Sequence, residues 1–168
     1  MKRVIVIGCP GAGKSTFARK LAQKTRLPLF YLDMIWHLPD RTTLSRDEFA
    51  DRIDEIAEGD EWIIDGNYLH TLLLRLSHCD TVFLFDLPVE VCLEGAESRI
   101  GKEREDMPWT DDHMDEEFRQ WILNFPNLQL PIIYKFLSEY RNKLNITIFH
   151  SREEADAFID RLDTTSPL

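Results

Sequence analysis

Short, uniformly apolar runs alternate with amphipathic helical stretches along this chain, and that alternation predicts an α/β fold, a parallel sheet with helices on both faces. Two further observations support it. The apolar runs lack the period-two pattern of a sheet with one wet face, as expected of strands covered on both sides. The first run also breaks into a glycine-rich turn that opens a helix. Sheets of this kind bind ligands at the carboxyl ends of their strands.

The elements follow in order. Residues 4–7 read as the first strand, ahead of a helix carrying Phe17 and Leu21. Residues 28–32 read as the second, running into Asp33. Ser45 and Glu48 form a capping box before Phe49, Ile53 and Ile56, and Gly59 sits where that helix should end. Residues 62–64 are the third strand, closing on Asp65 and Gly66; Arg75 then interrupts an otherwise apolar helix, and residues 81–85 form the fourth strand. Met114, Phe118, Trp121, Ile122 and Phe125 make one helical stripe. Ile132, Ile133, Phe136, Leu137 and Tyr140 make another, with Pro126 and Pro131 expected to split the two into a hairpin. Residues 146–149 are the fifth strand, and Ser151 with Glu154 caps a last helix through Ala155, Phe158, Ile159 and Leu162.

With 168 residues, 43% of them hydrophobic, the chain suits one core, so a single domain over 1–168 is expected. Twenty Lys and Arg against 30 Asp and Glu give a net charge of −10, a field that repels a phosphate backbone and disfavours direct nucleic-acid binding. Cys9, Cys79 and Cys92 are odd in number and show no C-x-x-C pair, which fits a reducing cytoplasm. The four-residue apolar run near the amino terminus is shorter than the roughly 7–15 of an export signal, and no run approaches the ~18 of a membrane span. A cytoplasmic protein with no membrane partner is expected; the oligomeric state is left open.

Gly8-Cys9-Pro10-Gly11-Ala12-Gly13-Lys14-Ser15 fits G-x-x-x-x-G-K-[ST] in the right place, after a strand and before a helix. A chance match in this length is on the order of one in a hundred. Backbone amides of Gly8, Gly11, Ala12, Gly13, Lys14, Ser15 and Thr16 are the candidate phosphate cradle, with Lys14 reaching the outer phosphates and Ser15 ligating Mg2+. Such a loop serves GTPase switches, motor ATPases and small-molecule kinases alike. No glycine has an aspartate three residues before it, so the D-x-x-G turn of a switch is missing, and "WIIDGNY" ends in a single acid where a motor carries two. That favours a kinase using ATP and Mg2+. Arg75, in an apolar helix, needs an anion, either an acceptor's phosphate or a structural acid. Trp36 and His37 either line an acceptor pocket or cover core.

These motifs resemble the nucleoside monophosphate kinases, and the whole chain is similar to the bacterial adenylate-kinase-related proteins of the topology modulation family. The loop, "LDMIW", "IIDGNY", Arg75, "DTVFLFDLP" and "WILNF" carry the resemblance. It implies a three-layer P-loop NTPase sandwich with strand order 2-3-1-4-5, an acceptor-binding arm over about 33–60 and a lid over about 99–130. By the same resemblance Asp65 holds Mg2+ through water, and Asp33, with Trp36 and Arg75, meets the acceptor. Lys14, Asp33 and the lid's Arg99 and Arg104 carry catalysis, and Gly101 supplies a hinge. The chain departs from the pattern after "WILNF", where "PNLQLP" replaces a run of arginines. The implied activity is transfer of the γ-phosphoryl group of ATP to a small acceptor such as a nucleoside monophosphate; a nucleotide-binding regulator or a slow ATPase is the alternative.

Overall fold

A computed structural model describes residues 1–162; positions 163–168 of the expected domain lie outside the described residues. Five strands, β1 (Arg3–Gly8), β2 (Leu29–Tyr31), β3 (Trp62–Asp65), β4 (Thr81–Phe85) and β5 (Asn145–Phe149), form one parallel sheet in the order β2-β3-β1-β4-β5. The order is the one the resemblance implied. β3 and β4 are buried throughout and β1 from Val4 onward, because helices cover both their faces. β2 and β5 are edges and only partly covered, so the expectation of uniformly buried strands holds for the centre alone.

α1 (Lys14–Thr25) and α8 (Arg152–Arg161) pack together on one face. Phe17 of α1 meets Phe83, Phe85 and Phe149 edge-on at centroid distances of 4.9, 5.4 and 5.3 Å, and Phe158 of α8 closes the cluster at 4.9 Å from Phe83. Edge-to-face contact is the favourable arrangement for such rings, about 0.5–1.5 kcal/mol per pair beyond burial. α3 (Arg46–Ala57) and α4 (Leu72–His78) pack on each other, with α4 against β1; right-handed crossovers place them on the opposite face. α5 (Val89–Glu97), α6 (Glu116–Leu128) and α7 (Leu130–Tyr140) fill the long β4–β5 connection.

Both expected caps form. Ser45 and Glu48 make the reciprocal box, and Ser151 accepts from the Glu154 amide. Several boundaries differ from the sequence reading, most by a residue or two, and two of the differences move a named feature. The second strand stops at Tyr31, and Leu32 begins a one-turn helix, α2 (Leu32–Trp36), so Asp33 lies in a helical first turn instead of at a strand end. The α6–α7 break falls at Gln129: Pro126 sits inside the last turn of α6, and Pro131 sits at the start of α7, where its missing N–H costs nothing.

Candidate active site

The carboxyl ends of β1 and β3 meet the start of α1, and the register puts Asp65 beside both Val6 and Tyr31. Gly11 has φ 82, and a Cβ there would stand 1.9 Å from the Cys92 carbonyl. Reciprocally, a Cβ on Gly95 would stand 2.0 Å from the Gly11 carbonyl. Only two glycines permit the loop to seat this closely on α5. Arg152 braces the other side, donating to the Gly11 carbonyl at 2.8 Å and the Ala12 carbonyl at 3.4 Å. Carbonyls held outward in this way leave the loop's amides for phosphate.

Lys14 is 8% exposed, and its Nζ donates to the Cys9 carbonyl at 2.8 Å. Burial lowers its ammonium below the ordinary lysine value, with Arg99 adding to the effect while Asp65 and Asp33 oppose it. The Ser15 hydroxyl donates to Asp65 Oδ2 at 2.5 Å and lies 3.2 Å from Oδ2 of Asp106. Burial raises the Asp65 carboxyl to about 6 against the pull of Lys14 and Ser15. Its Oδ1 is buried without a hydrogen-bond partner among the described residues. No three of His, Cys, Asp or Glu gather into a metal cage among the described residues. A Mg2+ held mainly by phosphates and water needs only one or two carboxylates, so the Ser15, Asp65 and Asp106 oxygens fit that ion.

A cavity of about 860 Å³ runs from Lys14, Ser15 and Asp65 to the arm residues Asp33, Trp36 and His37. Residues between α5 and α6 also line it, the first part of the lid expected over about 99–130, with Gly101 at φ 74; most of the rest of that span is helix α6. Arg99 and Arg104 both line the cavity. Arg104 pairs with Asp106 through Nε at 3.2 Å and Nη2 at 2.7 Å. Arg99 has no carboxylate partner among the described ion pairs, and burial with the neighbouring Arg104 charge lowers its guanidinium. On the arm, Tyr68 donates its phenol to Asp33 Oδ1 at 2.6 Å. Trp36 packs against Phe49 at 5.0 Å and Tyr68 at 5.9 Å, so it both lines the cavity and covers core. Lid and arm touch: the Trp109 ring lies 5.1 Å from His37, with the Arg41 guanidinium 5.4 Å over it.

The structure thus gathers Lys14, Ser15, Asp65, Asp33, Trp36, Arg99 and Arg104 on one cavity. Arg75 is the exception. It is fully buried, and its guanidinium donates to the carbonyls of Gly66 at 2.8 Å, Asn67 at 2.5 Å and Tyr68 at 3.0 Å. The anion expected for it is replaced by three peptide oxygens, and it shapes the "DGNY" turn from beneath. Two residues that no motif marks, Asp106 and Arg152, also reach the phosphate loop, and only the fold brings them there.

No family model matches the chain. Over 88 residues it is 32% identical to an adenylate kinase from Thermotoga neapolitana, an alignment covering 51% of this chain and 39% of that enzyme's length. A shikimate kinase from Bacteroides thetaiotaomicron superposes with a TM-score of 0.57 at 16% identity, covering 96% of each chain. A sugar kinase from Janibacter sp. HTCC2649 gives 0.56 at 19% identity, covering 96% of this chain and 91% of that one. No described helix is long and apolar enough to cross a membrane. The chain therefore has the P-loop kinase fold and, over half its length, an adenylate-kinase-like sequence.

Proposed function

We propose that this protein is an ATP- and Mg2+-dependent phosphotransferase that moves the γ-phosphoryl group to a small, nucleotide-like acceptor. One observation carries the reading: Lys14, the Ser15–Asp65 pair, Asp33 and a half-buried Arg99 without a carboxylate partner among the described ion pairs all line one cavity. A phosphoryl group moving within it would find its charge met by Lys14 and Arg99. Bound magnesium supplies further neutralisation of the phosphate oxygens. Ser15, Asp65 and Asp106 are the residues that would hold it. Asp33, fixed by Tyr68, orients the acceptor and takes its proton. The lid excludes water, which would otherwise take the phosphoryl group and waste ATP by hydrolysis.

The test is ADP production from Mg2+·ATP with nucleosides, nucleoside monophosphates and small metabolites as acceptors, with Lys14→Ala as the blank. The adenylate kinase likeness ranks nucleoside monophosphates first among them. ADP release stimulated by an acceptor is the expected result. Phosphate release indifferent to every acceptor would mean a slow ATPase. Thermal stabilisation by ATP without turnover would favour the nucleotide-binding regulator that the topology modulation resemblance suggests.

A further inference from the structure

Asp33 lies within electrostatic reach of Lys14, Arg99 and Arg104, and all four side chains line one cavity. Opposite charges so placed attract, and a guanidinium can take a carboxylate in a two-pronged grip. Two of the cations already have partners: Lys14 donates to the Cys9 carbonyl, and Arg104 holds Asp106. Arg99 has no carboxylate of its own among the described ion pairs, and no such pair joins Asp33 to any of the three. The Asp33 side chain makes one hydrogen bond among the described residues, accepted at Oδ1 from the Tyr68 hydroxyl at 2.6 Å. Tyr68 is anchored well enough to hold it. Its backbone sits at φ 28 and ψ 77, a region that non-glycine residues rarely enter, and the buried Arg75 guanidinium grips the Asn67 and Tyr68 carbonyls there. Its ring packs on Phe49 at 4.9 Å and on Trp36 at 5.9 Å. Burial, and then the Asp33 charge, raises the phenol above its ordinary value, so the hydroxyl keeps its proton and stays a donor. Asp33, half-buried in the one-turn α2, is the freer partner of the two.

Building on the phosphotransferase reading, we propose that Tyr68 is a positioning residue that tethers Asp33 away from Arg99 and Lys14, leaving the carboxylate free for the acceptor and the cations free for phosphate. The tether acts on both substrates at once. With the hydroxyl gone, Asp33 swings onto the cations, so the acceptor loses its carboxylate and the phosphates of ATP lose a counter-charge.

The test is Tyr68→Phe, which removes the hydroxyl and keeps the ring, alone and combined with Asp33→Asn, read first by the Kd of a fluorescent ATP analogue with Mg2+. Tyr68→Phe should weaken binding about tenfold, the low end of what losing one hydrogen bond to a charged group costs. Adding Asp33→Asn removes the competing charge and should restore the Kd of the natural protein. A turn merely loosened by the substitution would not be repaired in this way. With any acceptor that stimulates ADP release, Tyr68→Phe should lower kcat about 100-fold. An unchanged Kd in Tyr68→Phe, or a weakened one that Asp33→Asn leaves weak, would overturn the inference and leave phosphotransfer standing. No acceptor-stimulated ADP from the natural protein would remove the phosphotransferase reading, while the binding cycle would still decide whether Tyr68 holds Asp33 off the cations. A natural protein that binds no analogue would remove both.

Discussion

The two regions of the cavity wall that the phosphotransferase reading makes its donor and acceptor ends are built by different means. The donor end is made of backbone: a loop whose carbonyls are pinned by Arg152 and whose close seat on α5 depends on Gly11 and Gly95, with Lys14 and Ser15 at the first two positions of α1. The acceptor end is made of side chains from α2, the "DGNY" turn and the lid, held by Tyr68–Asp33 and by Trp109 against His37. Triphosphate is the same ligand in every protein that uses this loop, so backbone geometry suffices. Acceptors differ, and ring and carboxylate positions have to be set one by one.

That contrast is broken most severely at Lys14. Lys14→Ala removes the buried ammonium at the donor end, and kcat should fall by about 10³ with the acceptor KM little changed. Its thermal stability should be kept, because burial already disfavours that charge in the folded protein. A comparable rise in acceptor KM would mean that the ends are not separate.

Arg75 sharpens the comparison from the other side. Arg75→Met leaves the Gly66, Asn67 and Tyr68 carbonyls without their donor, at about 1–3 kcal/mol for each buried unsatisfied group. Taking ~3 kcal/mol in all, and ~2–4 °C per kcal/mol for a chain of this size, Tm should drop by roughly 6–12 °C. An acceptor KM that rises only for phosphorylated compounds, with Tm unchanged, would restore Arg75 to the acceptor site.

Legibility follows the same division. Five strands and both Ser caps could be read from the sequence, because each depends on neighbours within about eight residues, whereas the strand order, set by pairings across tens of residues, came by resemblance. Arg75 was misread because the sequence shows that a buried guanidinium needs partners but not that a turn seven to nine residues earlier presents three carbonyls. Arg152 was missed for the reverse reason: its carbonyl partners lie 140 and 141 residues away. Asp106 meets Ser15 across 91 residues and has no periodic or motif context. Asp33 was placed at a strand end because Leu32 continues the apolar run, yet the backbone turns helical there.

Asp106 tests whether lid and donor end work together. Its carboxylate is 5% exposed, close to Ser15 and gripped by Arg104. Asp106→Asn keeps the shape and removes the charge. The Mg2+ concentration giving half-maximal binding of a fluorescent ATP analogue should rise about tenfold, the lower end of what loss of an outer oxygen partner costs a metal site. An unchanged Mg2+ titration would confine Asp106 to pairing with Arg104.

The smallest effect expected is on the lid alone, and it is set by pH. Burial pushes the Asp106 carboxyl up, but the Arg104 hydrogen bonds and the charges of Arg104 and Arg99 outweigh it, leaving that carboxyl below the usual aspartate value. A carboxyl depressed in the closed arrangement favours that arrangement fully above its ordinary value of about 3.9 and loses the contribution as pH falls through the lowered one. The contribution of Asp106 to closure should therefore be flat from pH 7 to about 4 and weaken below it, beside the separate steps that His37 and Asp65 add at higher pH as they take up protons. Trp109 reports the change, since closure packs its ring against His37 and under Arg41; the difference in emission between the natural protein and Trp109→Phe isolates its signal from Trp36, Trp62 and Trp121. In Asp106→Asn the acid transition in that difference should vanish while far-UV circular dichroism stays constant. A transition that persists would assign the lid's hold to the aromatic contact with the arm, and the acceptor end would then govern closure without help from the donor end.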